Sequence, residues 1–124
     1  MKAKRKELNI KLAKGYKEKS RDPGKLKIDY IQRIVCGYFN IPVEMIQSDT
    51  RKREIVQVRQ ISMFFAKGRS GQSLATIGNE IGKKDHATVL HACKTVNNLI
   101  DSDKRFKAQI EELEKRFELI NINH

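Results

Sequence analysis

Apolar positions recur along this chain at helical spacing, and no segment alternates as a half-buried strand would. Ile28, Ile31, Val35 and Tyr38 mark a first amphipathic helix, with Ile34 and Phe39 widening its stripe. Asn40-Ile41-Pro42 stops it, and Val43 to Gln47 can form one short helical turn. Ile55, Val58, Ser62 and Phe65, with Ile61 alongside, predict a long helix that ends at Lys67-Gly68. Arg69 to Gln72 link it to a short helix capped by Ser73, which carries Leu74, Ile77 and Ile81 on one stripe before Gly82 breaks it. Val89, Cys93, Val96 and Ile100 give the buried face of the next helix, with Asp85 at its N-cap and Thr88 three residues on. Phe106, Ile110, Leu113, Phe117 and Ile120 repeat at 4, 3, 4 and 3 in a last helix that starts near Ser102. Its seam can serve a coiled-coil dimer or an intramolecular strut, and two heptads are short for a free-standing coiled coil, which favours the strut. Glu111 and Glu112 face Lys115 and Arg116 at i+4. The expected fold is all-α, with about five to six helices.

Charge adds a partner class to this picture. The 124 residues carry a net charge of +11, concentrated in two blocks: residues 1–27 contribute +8 and residues 51–95 contribute +6. Two cationic blocks favour a polyanionic partner, although a Lys-rich first segment is equally consistent with a solvated tail. Residues 1–27, punctuated by Gly15 and Asp22-Pro23-Gly24, read as a flexible basic arm ahead of one domain over 28–124. No apolar run approaches the roughly 20 residues that span a bilayer, and the N-terminus has no apolar h-region. A cytoplasmic protein without a membrane partner is the expectation. Cys36 and Cys93 fall on apolar stripes and read as free core thiols of a reducing compartment. A metal site from Cys93, His86 and His91 is the sharper alternative. His86 and His91 are five apart and do not share a helix face, and there is no C-x-x-C pair, so no metal or other cofactor is expected.

The helix from Asp85 is the most informative stretch. Opposite its apolar stripe lie Lys84, Ala87, Thr88, His91, Lys94, Thr95 and Asn98, with no carboxylate after the first turn. Such a helix, preceded by a short helix and a glycine turn, has the helix-turn-helix pattern and suits a DNA major groove. An ordinary αα-hairpin with solvated lysines presents the same periodicity.

The run Ser73 to Lys94, and above all Lys84-Asp85-His86-Ala87-Thr88-Val89-Leu90-His91-Ala92-Cys93, resembles the C-terminal DNA-binding domain of the bacterial replication initiator family DnaA. That family's hallmark reads roughly R-D-H-T-T-V-L-H-A; here Lys84 is a conservative change and Ala87 is small. A second block, Arg51-Lys52-Arg53-Glu54 through Val58-Arg59-Gln60-Ile61-Ser62-Met63, looks like the family's basic loop and the R-Q helix after it. The likeness runs from about Ile28 to about Ile120 and implies a Trp-repressor-like helix-turn-helix arrangement. It further implies that Asp85, His86 and residue 87 face bases, that Arg59 and Gln60 contact the DNA backbone, and that Arg51 enters the minor groove. The prolines usual in the family near Val58 and Ala75 are absent.

The chemistry of these residues fits such roles. Asp85 can accept from a cytosine amino group or cap its helix, and can do both if its oxygens divide the work. His86 can donate to a base or pack on a thymine methyl, while Ala87 offers a methyl but no hydroxyl. Thr88, His91 and Lys94, one turn apart, suit phosphates, as do the helix N-terminus with Lys83 and Lys84 and the loop with Arg53. Arg51 suits a narrow A·T-rich minor groove.

No G-x-x-x-x-G-K-[ST] phosphate loop occurs, since Lys14-Gly15 and Lys67-Gly68 lack its other elements, and no catalytic constellation appears. The expectation is therefore a non-enzymatic, sequence-specific reader of double-stranded DNA at initiator-type boxes. It would act without nucleotide, as a monomer on nucleoid DNA, as a competitor, anchor or regulator beside a full-length initiator. A helix-turn-helix transcriptional regulator with its own operator is the alternative, and an interaction protein using the arm or last helix is a third.

Overall fold

The computed structural model describes residues 25–123, with side chains through Ile120. Six helices follow in order: α1 Ile28–Phe39, α2 Val43–Gln47, α3 Arg53–Arg69, α4 Leu74–Glu80, α5 His86–Ser102 and α6 Lys104–Asn123. No strand occurs among the described residues. The fold is all-α. The expected basic arm and its Asp22-Pro23-Gly24 turn lie outside the described span, apart from Lys25 to Lys27. Leu26 is already in the core, and its N–H donates to the Arg69 carbonyl at 3.0 Å, so packing begins two residues ahead of α1.

Helix α3 is the centre of the molecule and touches α1, α2, α4 and α5. From Ile61 to Ala66 every side chain is buried, which is the signature of a helix enclosed on all sides rather than laid on a surface. The helix does not stop at Lys67-Gly68, as its sequence predicts, but continues to Arg69. Tertiary partners outweigh the cost of about 1 kcal/mol for a helical glycine. The Arg69 guanidinium pairs with Glu114 of α6 and lies 5.4 Å over the Phe117 ring. The chain then turns at Gly71, where φ is 72°.

Helix α6 is a strut. Phe106, Ile110, Leu113 and Phe117 are all buried within the chain, and Phe117 meets Phe65 at a centroid distance of 4.9 Å. The hinge before it is Asp103, whose Oδ1 accepts from the N–H groups of Arg105 and Phe106, each at 3.0 Å. Arg116 lies 4.8 Å over the Tyr38 ring of α1, a partner that helical i+4 spacing does not reveal. At the end of α1, Asn40 takes the left-handed conformation (φ 58°) that an asparagine tolerates, and its N–H returns to the last turn.

Cys36 and Cys93 are free and buried. Burial pushes the Cys36 thiol up to about 11 and raises that of Cys93, so both remain protonated packing groups. No helix among the described residues is long and apolar enough to cross a membrane.

Candidate nucleic-acid interface

Helices α4 and α5 form a helix-turn-helix whose geometry rests on two glycines. Ser73 caps α4, its hydroxyl accepting from the Thr76 N–H at 3.1 Å. After Glu80 the chain reverses through Gly82 (φ 89°) and Lys83 (φ 55°), conformations that glycine adopts freely and other residues rarely. Gly78 is needed for a different reason. A Cβ there would collide with the Lys84 carbonyl oxygen and lie 2.9 Å from that of Asp85, and the Lys84 N–H donates to the Gly78 carbonyl at 2.7 Å. The start of α5 therefore sits directly on the backbone of α4.

At that start, Asp85 Oδ1 accepts from both the N–H and the hydroxyl of Thr88, each at 2.8 Å. These bonds hold the Asp85 carboxyl below its usual range. Oδ1 is thus committed to the cap, and the Asp85 residue is exposed. Thr88 spends its hydroxyl proton on Asp85 and is left with acceptor capacity toward solvent. Lys83, His86, Ala87, Thr88, His91 and Lys94 are exposed and Lys84 is partly so. Val89, Ala92, Cys93, Val96 and Ile100 fill the opposite face. No acidic side chain occurs between Asp85 and Asp101.

The second cationic element is the loop before α3. Ser48 and Thr50 shape it with short-range bonds: the Ser48 hydroxyl donates to the Met45 carbonyl at 2.7 Å and accepts from the Thr50 N–H at 3.3 Å. Arg51, Lys52 and Arg53 are exposed and Gln60 is half-buried. Arg59 departs from the expectation that it stands out toward the DNA backbone. Its residue is only 6 % exposed, and its guanidinium turns inward. Nε donates to the Ile46 carbonyl at 2.7 Å, and Nη2 donates to those of Ser48 and Thr50 at 2.8 and 3.2 Å. A planar fork matches carbonyls converging from one loop, whereas a solvated cation would leave them unpaired. Burial lowers its pKa from the ordinary arginine value, with the Asp49 charge opposing the shift.

Behind both elements lies a joint that the sequence does not advertise. The Gln47 amide donates to the Glu80 carbonyl at 2.8 Å and to the Gln32 side chain, and its oxygen accepts from the Gly82 N–H at 3.1 Å. A Cβ on Gly82 would come within 3.3 Å of the Ile46 carbonyl and 3.7 Å of Arg59 Nε. The helix-turn-helix turn and the basic loop are thus fixed to the same end of α2. Gln32 and Gln47 give no periodic signal, and the only hint is a buried position on α1 occupied by glutamine.

Residues 28–96 match the model of the bacterial dnaA protein helix-turn-helix family. The chain belongs to this family. Among its DnaA relatives, the chromosomal replication initiator protein DnaA of Flavobacterium psychrophilum is 50% identical over 117 residues, covering 93% of this chain and 24% of that protein. The DnaA of Bacteroides thetaiotaomicron is 49% identical over 87 residues, 70% of this chain and 18% of its own length. That of Wolbachia pipientis is 46% identical over 90 residues, 73% and 20% respectively. The chain spans about a quarter or less of the curated DnaA proteins it matches. The matched DnaA family segment contains α1 to α4 and most of α5, and with them the loop, the joint and the exposed face of α5.

Proposed function

We propose that this chain binds double-stranded DNA sequence-specifically at initiator-type boxes and serves replication initiation there. Helix α5 enters the major groove and the Ser48–Lys52 loop enters the adjacent minor groove. The observation that carries this reading is the outer face of α5, exposed and free of acids from His86 to Ile100, with Lys94 on it and Lys83 and Lys84 at its start, seated on α4 at Gly78. In this pose Asp85 Oδ2 accepts from a cytosine amino group while Oδ1 keeps its cap, and His86 and Ala87 meet base edges. Lys83, Lys84, Thr88, His91 and Lys94 lie against phosphates, with Arg53 contributing from the start of α3 and Gln60 from its middle. Arg51 reads an A·T-rich minor groove, where a narrow floor concentrates negative potential. Arg59 acts from behind as a positioning residue, since it ties down the carbonyls of the loop that carries Arg51.

On this reading the chain needs no nucleotide and performs no catalysis. It occupies boxes as a monomer and competes there with a full-length initiator. Equilibrium binding to a selected duplex and to random duplexes tests it. Arg51→Ala is expected to relax discrimination at one end of the box and His86→Ala at an interior position, each by about 1–3 kcal/mol. Both side chains are exposed, so neither change should disturb folding. If both variants bound specific and random duplexes as the parent does, the pose would be wrong.

A further inference from the structure

The carboxyl end of α4 is capped by a side chain from another helix. The Gln47 amide of α2 donates to the Glu80 carbonyl at 2.8 Å, and its oxygen accepts from the buried Gly82 N–H at 3.1 Å. A carbonyl can only accept and a backbone N–H can only donate, so these partners demand an amide and fix which way it faces. A carboxylate at position 47 would turn a second acceptor on Glu80, and an aliphatic side chain would serve neither group. The buried Gln32 of α1 accepts from the same amide and braces it from behind. The backbone around Gln47 belongs to the other element: Arg59 holds the Ile46 and Ser48 carbonyls, and Ser48 opens the basic loop. Gln47 thus joins the two, since its main chain leads into the loop and its side chain holds the turn before α5. We infer that Gln47 is a positioning residue that sets the register between the α5 face and the basic loop, so that both grooves are engaged together. Two binding elements in fixed register act as one ligand. Loosening their joint lowers the effective concentration of each at its groove once the other is seated. This inference rests on the two-groove docking proposed above, and it gives Gln47 no contact with DNA.

Gln47→Met roughly keeps the volume and removes all three bonds. Its effect is read by equilibrium binding to a selected duplex, to duplexes altered singly at the A·T end or at an interior base, and to random duplexes. Discrimination is expected to fall about three- to tenfold at both positions together, although Arg51 and His86 are intact. Arg51→Ala and His86→Ala each relax one position only, and adding Gln47→Met to Arg51→Ala should change nothing further at the A·T end. Affinity for random duplexes and its salt dependence should stay at the parent's level, because the phosphate contacts remain. Gln47→Glu keeps the acceptor for Gly82 and loses the donor to Glu80, so it should shift both positions the same way by less, and it carries the test should Gln47→Met not fold. Relaxation at one position alone, or equal weakening on every duplex with the parent's discrimination retained, would overturn the role given to Gln47 while the docking stood. A parent chain that distinguishes no duplex from another would remove the docking and this inference with it.

Discussion

Along α5, His86, Ala87, Thr88, Leu90, His91 and Lys94 are all exposed, whereas the residues that hold this helix and the basic loop in place, Gln47, Arg59, Gly78 and Gly82, are buried or half-buried. The exposed face, proposed above to read DNA, uses side chains that touch little else in the protein. The joint uses directional bonds to carbonyls and contacts too close for a methyl group. Exposed positions of this kind change stability by less than about 0.5 kcal/mol when substituted. Residues on that face can therefore change without endangering the fold, and Ala87 is one of those exposed there. The joint has no comparable freedom. Changing it moves two elements at once, because the turn at Gly82 and the loop held by Arg59 share the carboxyl end of α2.

The hardest way to break the joint is at Gly78. Gly78→Val would drive side-chain atoms into the Lys84 and Asp85 carbonyls, which are backbone and cannot swing aside. Overpacking of this kind costs about 3 kcal/mol and should lower the thermal midpoint by about 10–15 °C, followed by circular dichroism. A midpoint within about 2 °C of the parent would show that the two helices are not seated on each other.

Arg59→Lys is subtler. It keeps the charge but loses the fork, so at least one of the Ile46, Ser48 and Thr50 carbonyls loses its donor, at about 1–3 kcal/mol in stability. Minor-groove discrimination should weaken with it, although Arg51 is untouched. Denaturant titration and binding to duplexes altered at the A·T end would report the two effects together. Normal discrimination in a destabilised protein would separate the joint from the reading function.

The smallest effect is expected at Asp85. Its carboxyl pKa is depressed by the Thr88 bonds, so the stability its cap supplies is present above the ordinary aspartate value and is lost as pH falls through the depressed one. Melting curves should be insensitive to this group from neutral pH down to about 5 and respond only in stronger acid. Asp85→Asn should retain a cap and flatten that acid response. A comparable loss near pH 6 would mean that the carboxyl is not held by Thr88.

These contrasts also explain what could be read from sequence. Apolar periodicity located five of the helices and the inward stripe of α5, because burial of a helix face imposes its spacing directly, while the short α2 was legible only as a possible turn after the stop at Pro42. The caps at Ser73 and Asp85 were equally visible, since a capping side chain lies within three residues of its partner. Arg59 was not, because a basic residue beside a basic loop looks solvated until the fold brings three carbonyls around it. Glu114 hides in a run of mixed charges, and its pairing with Arg69 spans 45 residues. The same pairing carried α3 through Gly68, where local propensity calls for a stop. Gly78 gave no sign of its role either, because a glycine within a short helix marks a close approach only when the second helix is in place.

Selection from a library of random duplexes by the purified chain tests the central claim most directly, that the faces of α5 and of the basic loop together read one box. The recovered sites are expected to share a single asymmetric sequence with an A·T-rich stretch at one end. Arg51→Ala should lose enrichment at that end, and His86→Ala at an interior base. A palindrome with half-sites about one helical turn apart would indicate a dimeric operator-binding protein instead. Recovery of no common sequence would contradict specific reading by this surface altogether.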